Sequence, residues 1–226
     1  MRPLHKQFFL FQKGISLISL MVGLLLAMIS ILAGMLLYKN IVQSSVQARS
    51  DALQDGQIAS AMLTLQLELQ SAGYGIAKDP TTTHVQLVDG KTLYWRFKDG
   101  SAQCRSFRIE DNDAGTHRKL VLLKLTSGCD ETSALNSFSW NDADKVEINP
   151  LAEFRKSDAT AVDLPVITID SVAPASCFPY GMGTKGVHPL VTITADNAAI
   201  TAAKKIDATA AGPNAPFRYD FCLSNL

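Results

Sequence analysis

From Ile15 to Tyr38 the chain carries no charged side chain. As a helix rising 1.5 Å per residue, that run is roughly 36 Å long, enough to cross the ~30 Å hydrocarbon core of a bilayer. An ordinary secretory signal has an apolar core of only about 7–15 residues, so the run is too long for one, although Ala27 to Gly34 offers small residues of the kind a signal cleavage site uses. A plain signal anchor fits the length equally well. The run is therefore read as a membrane helix behind a short basic leader, Met1 to Gly14, that holds Arg2, Lys6 and Lys13. Phe8-Phe9-Leu10-Phe11 makes that leader unusually apolar, and we have no physical account of it.

A positive leader stays on the cytoplasmic side, which sends everything after the helix to an oxidising compartment. All four cysteines, Cys104, Cys129, Cys177 and Cys222, lie beyond the membrane run. Four cysteines allow three disulfide connectivities. Cys104–Cys129 with Cys177–Cys222 is favoured, because the first pair brackets one sheet segment and the second ties down the last strand. Zinc needs closely paired ligands of the C-x-x-C kind, which these spacings do not supply. Formal net charge is zero and no basic block follows the leader, so the electrostatic footprint of a nucleic-acid binder is missing. The length leaves room for one extramembrane domain with one core, of about 150 residues.

After Tyr38 the chain turns polar without a proline. Ile58, Met62, Leu65, Leu69 and Ala72 then recur at intervals of three and four, the spacing of an amphipathic helix. The predicted helix therefore has a transmembrane half, 15–38, and an amphipathic half, 39–73, with a kink expected at Asp55-Gly56 and a glycine stop at Gly73. The stripe is too short for a coiled-coil stalk, so it is expected to pack on the domain that follows, 74–226. There, His84 to Val88, Lys91 to Lys98 and Gln103 to Ile109 are joined by Asp89-Gly90 and Asp99-Gly100, the strongest short-range hairpin signal, and predict a three-stranded meander. Leu120 to Leu125, Phe138 to Trp140, Val146 to Ile148, Val166 to Ile169, Leu190 to Thr194 and Phe217 to Cys222 are further predicted strands. Asn197 to Pro216 is Ala-rich and reads as a surface loop with at most a short helix. The fold class is α+β: a long N-terminal helix packed on an antiparallel β-sheet domain with a disulfide-tied C-terminal region.

Lys13-Gly14-Ile15-Ser16-Leu17 resembles the cleavage junction of type IV prepilins and type II secretion pseudopilins. In that family a prepilin peptidase cuts after the glycine and methylates the new N-terminus. The resemblance implies cleavage after Gly14 and a mature chain that begins at Ile15. Leu69-Gln70-Ser71-Ala72-Gly73-Tyr74 is similar to the helix end of PilW-type minor pilins. The family carries Glu at the fifth mature position, whereas Ser19 stands there in this chain. What the resemblance implies is a minor pilin that helps prime pilus assembly, with no enzymatic activity and no cofactor. Its partners are other minor pilins and the major pilin through the N-terminal helix, prepilin peptidase, and the inner-membrane assembly platform. It is held in the inner membrane by a single pass, with its N-terminus cytoplasmic and its domain periplasmic, and then passes into a cell-surface pilus. A type II secretion pseudopilin of the J or K kind shares the same helix. A membrane-anchored periplasmic binding or adhesion protein would instead keep Met1 to Gly14.

Three other motifs are weighed and set aside. Gly181-Met182-Gly183-Thr184-Lys185-Gly186 matches G-x-G-x-x-G, but Pro179 precedes it and a strand-like run follows, the reverse of a dinucleotide site. Glu110 to Gly115 gathers acids near a glycine, which makes Asp111 and Asp113 a weak calcium candidate. The loop lacks the further ligands and the final bidentate Glu of an EF-hand, so a solvated hairpin tip is the preferred reading. His84, His117 and His188 stand far apart, and no Ser or Cys has a His-Asp context in sequence.

Overall fold

The computed structural model describes residues 17–77, 83–156, 164–178, 185–206 and 215–226. Helix α1 runs Leu17–Leu69 as one 53-residue element. It stays helical through Asp55-Gly56. The α-helix ends at Leu69, short of the expected glycine stop, and i→i−3 bonds carry the chain through Ala72 to Gly73, whose φ of 77° is left-handed but whose N–H bonds the Arg96 carbonyl instead of capping the helix. The chain divides into two compact units, Met1–Arg49 and Ser50–Leu226, so the amphipathic part of α1 from Ser50 on belongs with the β-rich region.

In the second unit the strands are β1 (Val85–Val88), β2 (Thr92–Asp99), β3 (Ser101–Asp111), β4 (His117–Leu125), β5 (Val146–Arg155), β6 (Ile167–Cys177), β7 (Gly186–Ala195) and β8 (Phe217–Cys222). Helix α2 (Ala198–Ile206) joins β7 towards β8. The expected meander is the first part of a five-stranded antiparallel sheet in the order β1-β2-β3-β4-β5. The later strands form a separate three-stranded sheet, β6-β7-β8, rather than joining the first. The two Asp-Gly turns do what their sequence requires. Asp89 (φ 53°), Gly90 (φ 61°) and Gly100 (φ 71°) all occupy the left-handed region that tight hairpins demand.

Alternation along β2 explains how the five-stranded sheet acquires two covered faces. Leu93 and Trp95 join Ile58, Ala61, Met62, Leu65 and Leu69 of α1 in the main core, together with Ile169, Val191, Ile193 and Phe221 from the smaller sheet. Tyr94 points the other way, into a second cluster with Cys104, Val121, Leu123, Leu135, Trp140 and Val146. The single core expected from length is thus one compact unit with a main core and a satellite.

Several sequence expectations are corrected here. Phe138 to Trp140 is not a strand: a 3-10 turn at Leu135–Ser137 leads into it, and the Trp140 indole Nε1–H donates to the Leu135 carbonyl at 2.8 Å. Val146 to Ile148 is only the start of β5, which continues through Pro150 because an edge strand next to a bulge at Leu120/Val121 tolerates a missing donor. The short helix allowed for in Asn197–Pro216 is α2, but it is not wholly on the surface, since Ala198, Ile200 and Thr201 are buried; residues 207–214 lie outside the described residues.

Candidate functional site

The functional feature with the clearest physical signature is the outside of α1. Among the described residues it is the one helix long and apolar enough to cross a membrane, with a mean hydropathy of 2.6 over its most apolar window. From Leu17 to Tyr38 its large apolar side chains are between 53% and 75% exposed. Burying one Leu or Ile is worth about 1.5–3 kcal/mol, so an exposed run of this size has the character of a membrane anchor or a signal sequence. Ser30 bonds back to the Leu26 carbonyl at 2.9 Å, which shows how a hydroxyl is satisfied on such a surface. Ser19 lies exposed in the first turns of the same apolar stretch.

In the second unit α1 is apolar on two opposite sides. Ile58, Ala61, Met62, Leu65 and Leu69 are buried against the sheets. Leu53, Leu63 and Leu67 remain 58%, 59% and 62% exposed. At 100° per residue these three, with Gly56 and Ser60, fall within a sector of about 80° that faces away from the core. A Cβ added to Gly56 would meet nothing within 4 Å, so nothing in the unit itself calls for a glycine there. Glycine in a helix interior costs about 1 kcal/mol relative to alanine, and close approach by another backbone is the usual compensation.

The carboxylates of this part of α1 are directed at its own domain. Asp55 accepts the Ala198 backbone N–H at 2.8 Å and so caps α2 from another element. Gln54 donates to the Thr201 hydroxyl at 3.0 Å beside it. Burial, and then the nearby Asp55 charge, push the Tyr219 phenol pKa up. Glu68 pairs with Arg105 at 3.4 Å, and the Arg105 guanidinium also sits over the Phe97 ring at 5.3 Å. The outward sector between Ser50 and Leu69 is therefore free of charge, since Asp51, Asp55 and Glu68 are the charged residues of that stretch.

The end of α1 is held by an unusual number of specific contacts. The Gly73 N–H donates to the Arg96 carbonyl at 2.9 Å, and Lys98 N–H donates to the Tyr74 carbonyl at 2.8 Å, so the Ala72-Gly73-Tyr74 turn lies along the edge of β2. Asn225 donates to the Gln70 carbonyl at 2.7 Å. The sequence motif at the helix end is thus a docking turn.

Of the other residues expected to matter, Gly14 and Ile15 lie outside the described residues, as do residues 181–184 of the glycine-rich motif. Gly186, the last of that motif, begins strand β7. Cys104 is bonded to Cys129 and Cys177 to Cys222, the pairing favoured by their placement in sequence. Asp111 is not set up as a calcium ligand, because its carboxylate is taken by Arg118 (2.6 Å) and Lys91 (3.0 Å). The Arg118 hydrogen bond, opposed by burial and helped by Lys91, draws the Asp111 pKa below its ordinary range. Asp113 lies exposed at the hairpin tip, where Asn112 organises the turn by accepting the Thr116 and His117 N–H groups. A cleft of about 360 Å³ between Glu110, Lys119, Glu153 and Arg155 is lined by charges that alternate across the strands.

Sequence reasoning missed Arg96. It is 1% exposed, and its guanidinium donates to the carbonyls of Asp130 (2.9 Å), Thr83 (3.1 Å) and Ser133. Burial lowers its pKa, while Asp130 and Glu131 act in the opposite direction. Asp130 in turn accepts from the Ser133 hydroxyl and from the Ser133 and Thr132 N–H groups, which draws its pKa down to about 2. The one local signal that could have found it is a cation among the aromatics of Tyr94-Trp95-Arg96-Phe97; its place opposite Cys104 emerges only from the strand register. Comparison of the chain with protein-family models, with curated proteins and with solved structures finds no match.

Proposed function

We propose that the chain is a subunit of a filament whose core is a bundle of N-terminal helices, a minor pilin of the PilW type that helps to initiate type IV pilus assembly. The observation that carries the reading is the outward side of α1. It carries no charge from Leu17 to Tyr38, and it keeps an uncharged sector of Leu53, Gly56, Ser60, Leu63 and Leu67 even where the opposite side is buried against its own domain. A simple anchor needs the first of these features and has no use for the second. Lipid gives apolar helices no hydrophobic reason to associate, so packing rests on close approach, which Ser19, Gly23, Ala27, Ser30, Ala33 and Gly34 permit. Gly23 and Gly34 have open space where a Cβ would stand, as Gly56 does.

The role is structural, and its partners are other minor pilins and the major pilin, reached through α1 after prepilin peptidase has acted at Gly14 and the assembly platform has extracted the subunit. Ser19 is the residue that supports a position at or near the tip. A carboxylate there would neutralise a neighbour's N-terminal ammonium, since opposite charges in hydrocarbon are each very expensive alone and much less so together. A subunit with a hydroxyl at that place cannot join beneath an existing neighbour on those terms, but it can enter first. Immunogold labelling of sheared filaments tests this, with label expected at filament ends in the native protein. Even labelling along the shaft contradicts the tip position, and absence from filaments altogether contradicts the subunit reading.

A further inference from the structure

Strands β6 and β7 extend past their partner β8 as a two-stranded arm. From Ala173 to Cys177 and from Gly186 to Leu190 no residue is buried. Pro174 stands opposite Pro189 in that arm, so the ladder there lacks two donors. What ties the arm down lies at one place. Cys177 is bonded to Cys222, Leu223 N–H donates to the Pro189 carbonyl at 2.9 Å, and the His188 ring nitrogen Nδ1 lies 3.2 Å from the Leu226 carbonyl oxygen. The same segment, Leu223 to Leu226, covers the end of α1. Asn225 bonds the Gln70 carbonyl, and the Leu226 side chain sits so near Gly73 that a Cβ there would come within 2.2 Å of it.

We propose that Cys177–Cys222 is a redox-operated latch: reducing it releases the β6–β7 arm from Leu223–Leu226 and loosens the cover on the end of α1, while Cys104–Cys129 keeps the five-stranded sheet closed. The reductant is a dithiol of the class that serves protein disulfide exchange. Its thiolate attacks one sulfur of the bond, the other cysteine leaves as a thiolate, and the second thiol of the reagent displaces the first cysteine. Two electrons and two protons end on Cys177 and Cys222, and the reagent ends as a disulfide.

The two bonds differ in what must open around them. Cys177 and Cys222 are both half-buried, and the arm itself carries no buried residue; in the segment it parts from, Leu223 is buried at 1% exposed but is also held by the main core. Cys104 is 1% exposed and packs with Leu135 and Trp140, while the loop that carries Cys129 is pinned by the Arg96 guanidinium. Separating that pair uncovers the satellite core and a buried cation.

The test is a dithiothreitol titration of the full chain in detergent micelles, quenched by alkylation and read by peptide mapping, with amide hydrogen exchange at each step. The expected result is that Cys177 and Cys222 alkylate at lower dithiothreitol than Cys104 and Cys129. At that point exchange at Leu223 and along Gly186 to Leu190 rises on the order of tenfold or more, and exchange at Phe107 and Val121 is unchanged. A Cys177→Ser/Cys222→Ser double variant is expected to show the same exchange pattern without reductant. Coincident reduction of both bonds, or reduction of Cys177–Cys222 with no change at Leu223, overturns the latch. So does a double variant whose exchange matches the oxidised protein or whose protection collapses at Phe107 and Val121.

Discussion

Replacing Gly75 by alanine is the sharpest probe of how α1 is joined to the sheet. Gly75 follows the docking turn at φ 70°, and an added Cβ would lie 2.2 Å from the Lys98 carbonyl oxygen, where ordinary contact begins at 3.4 Å. A backbone oxygen cannot swing aside as a flexible side chain does, so turn and strand must part by an ångström or so, and the 2.8 Å bond from Lys98 N–H to the Tyr74 carbonyl is lost with that movement. The left-handed conformation costs an alanine about 1–2 kcal/mol, and the bond is worth about 0.5–1.5 kcal/mol, so the expected destabilisation is about 1.5–3.5 kcal/mol. Gly100→Ala is the matched control. Its φ of 71° carries the same conformational cost, but nothing lies within 4 Å of the added Cβ, so about 1–2 kcal/mol is expected. Urea unfolding followed by tryptophan fluorescence reads the difference well, because Trp95 (0% exposed) and Trp140 (5%) are both in the β-rich unit. Equal midpoint shifts for the two variants would refute the contact and, with it, the docking role assigned to Ala72-Gly73-Tyr74.

Three further outcomes are expected. Cys222→Ser removes the bond that ties the β6–β7 arm to the end of β8 and should speed limited proteolysis within Gly186–Leu190 while leaving the tryptophan-monitored unfolding midpoint of the five-stranded sheet unchanged. Asp111→Asn should flatten the acid side of the pH–stability curve: its carboxyl pKa is depressed in the fold by Arg118, so its contribution is complete above the ordinary carboxylate value of about 3.9 and is lost as pH falls toward the lower folded value. Unchanged acid sensitivity in that variant contradicts the assignment. Leu67→Asp alters an exposed residue and should leave unfolding within about 0.5 kcal/mol of the native protein, yet abolish recovery in sheared filaments; normal recovery argues against the outward sector as a packing surface.

Much of the architecture is legible from local rules. The uncharged run, the three-and-four spacing of Ile58 to Leu69 and the two Asp-Gly pairs each depend only on residues close in sequence, and the helix and hairpins they predict are where they were expected. Features that depend on a strand's position in its sheet were not readable. The predicted strands stop short of Pro150 in β5 and of Pro174 in β6, and start only after Pro189 in β7, because a proline is tolerated wherever the neighbouring strand is missing and a sequence does not state which strands are edges. Trp140 read as strand on propensity, but its packing on Tyr94 at a ring distance of 5.2 Å and its bond to Leu135 hold it in a turn. Arg96 and Asp55 were hidden for the same reason: their partners, the carbonyls of Asp130 and Ser133 and the N–H of Ala198, are distant in sequence.

The measurement that bears most directly on the filament-subunit account is the intact mass and N-terminal sequence of the protein recovered from cells that contain prepilin peptidase. The account predicts a chain that begins at a methylated Ile15, and a Gly14→Val variant that retains Met1 to Gly14. A native protein that keeps its leader, or a Gly14→Val variant that runs at the mature mass, would contradict it and favour a membrane-anchored periplasmic protein that never enters a filament.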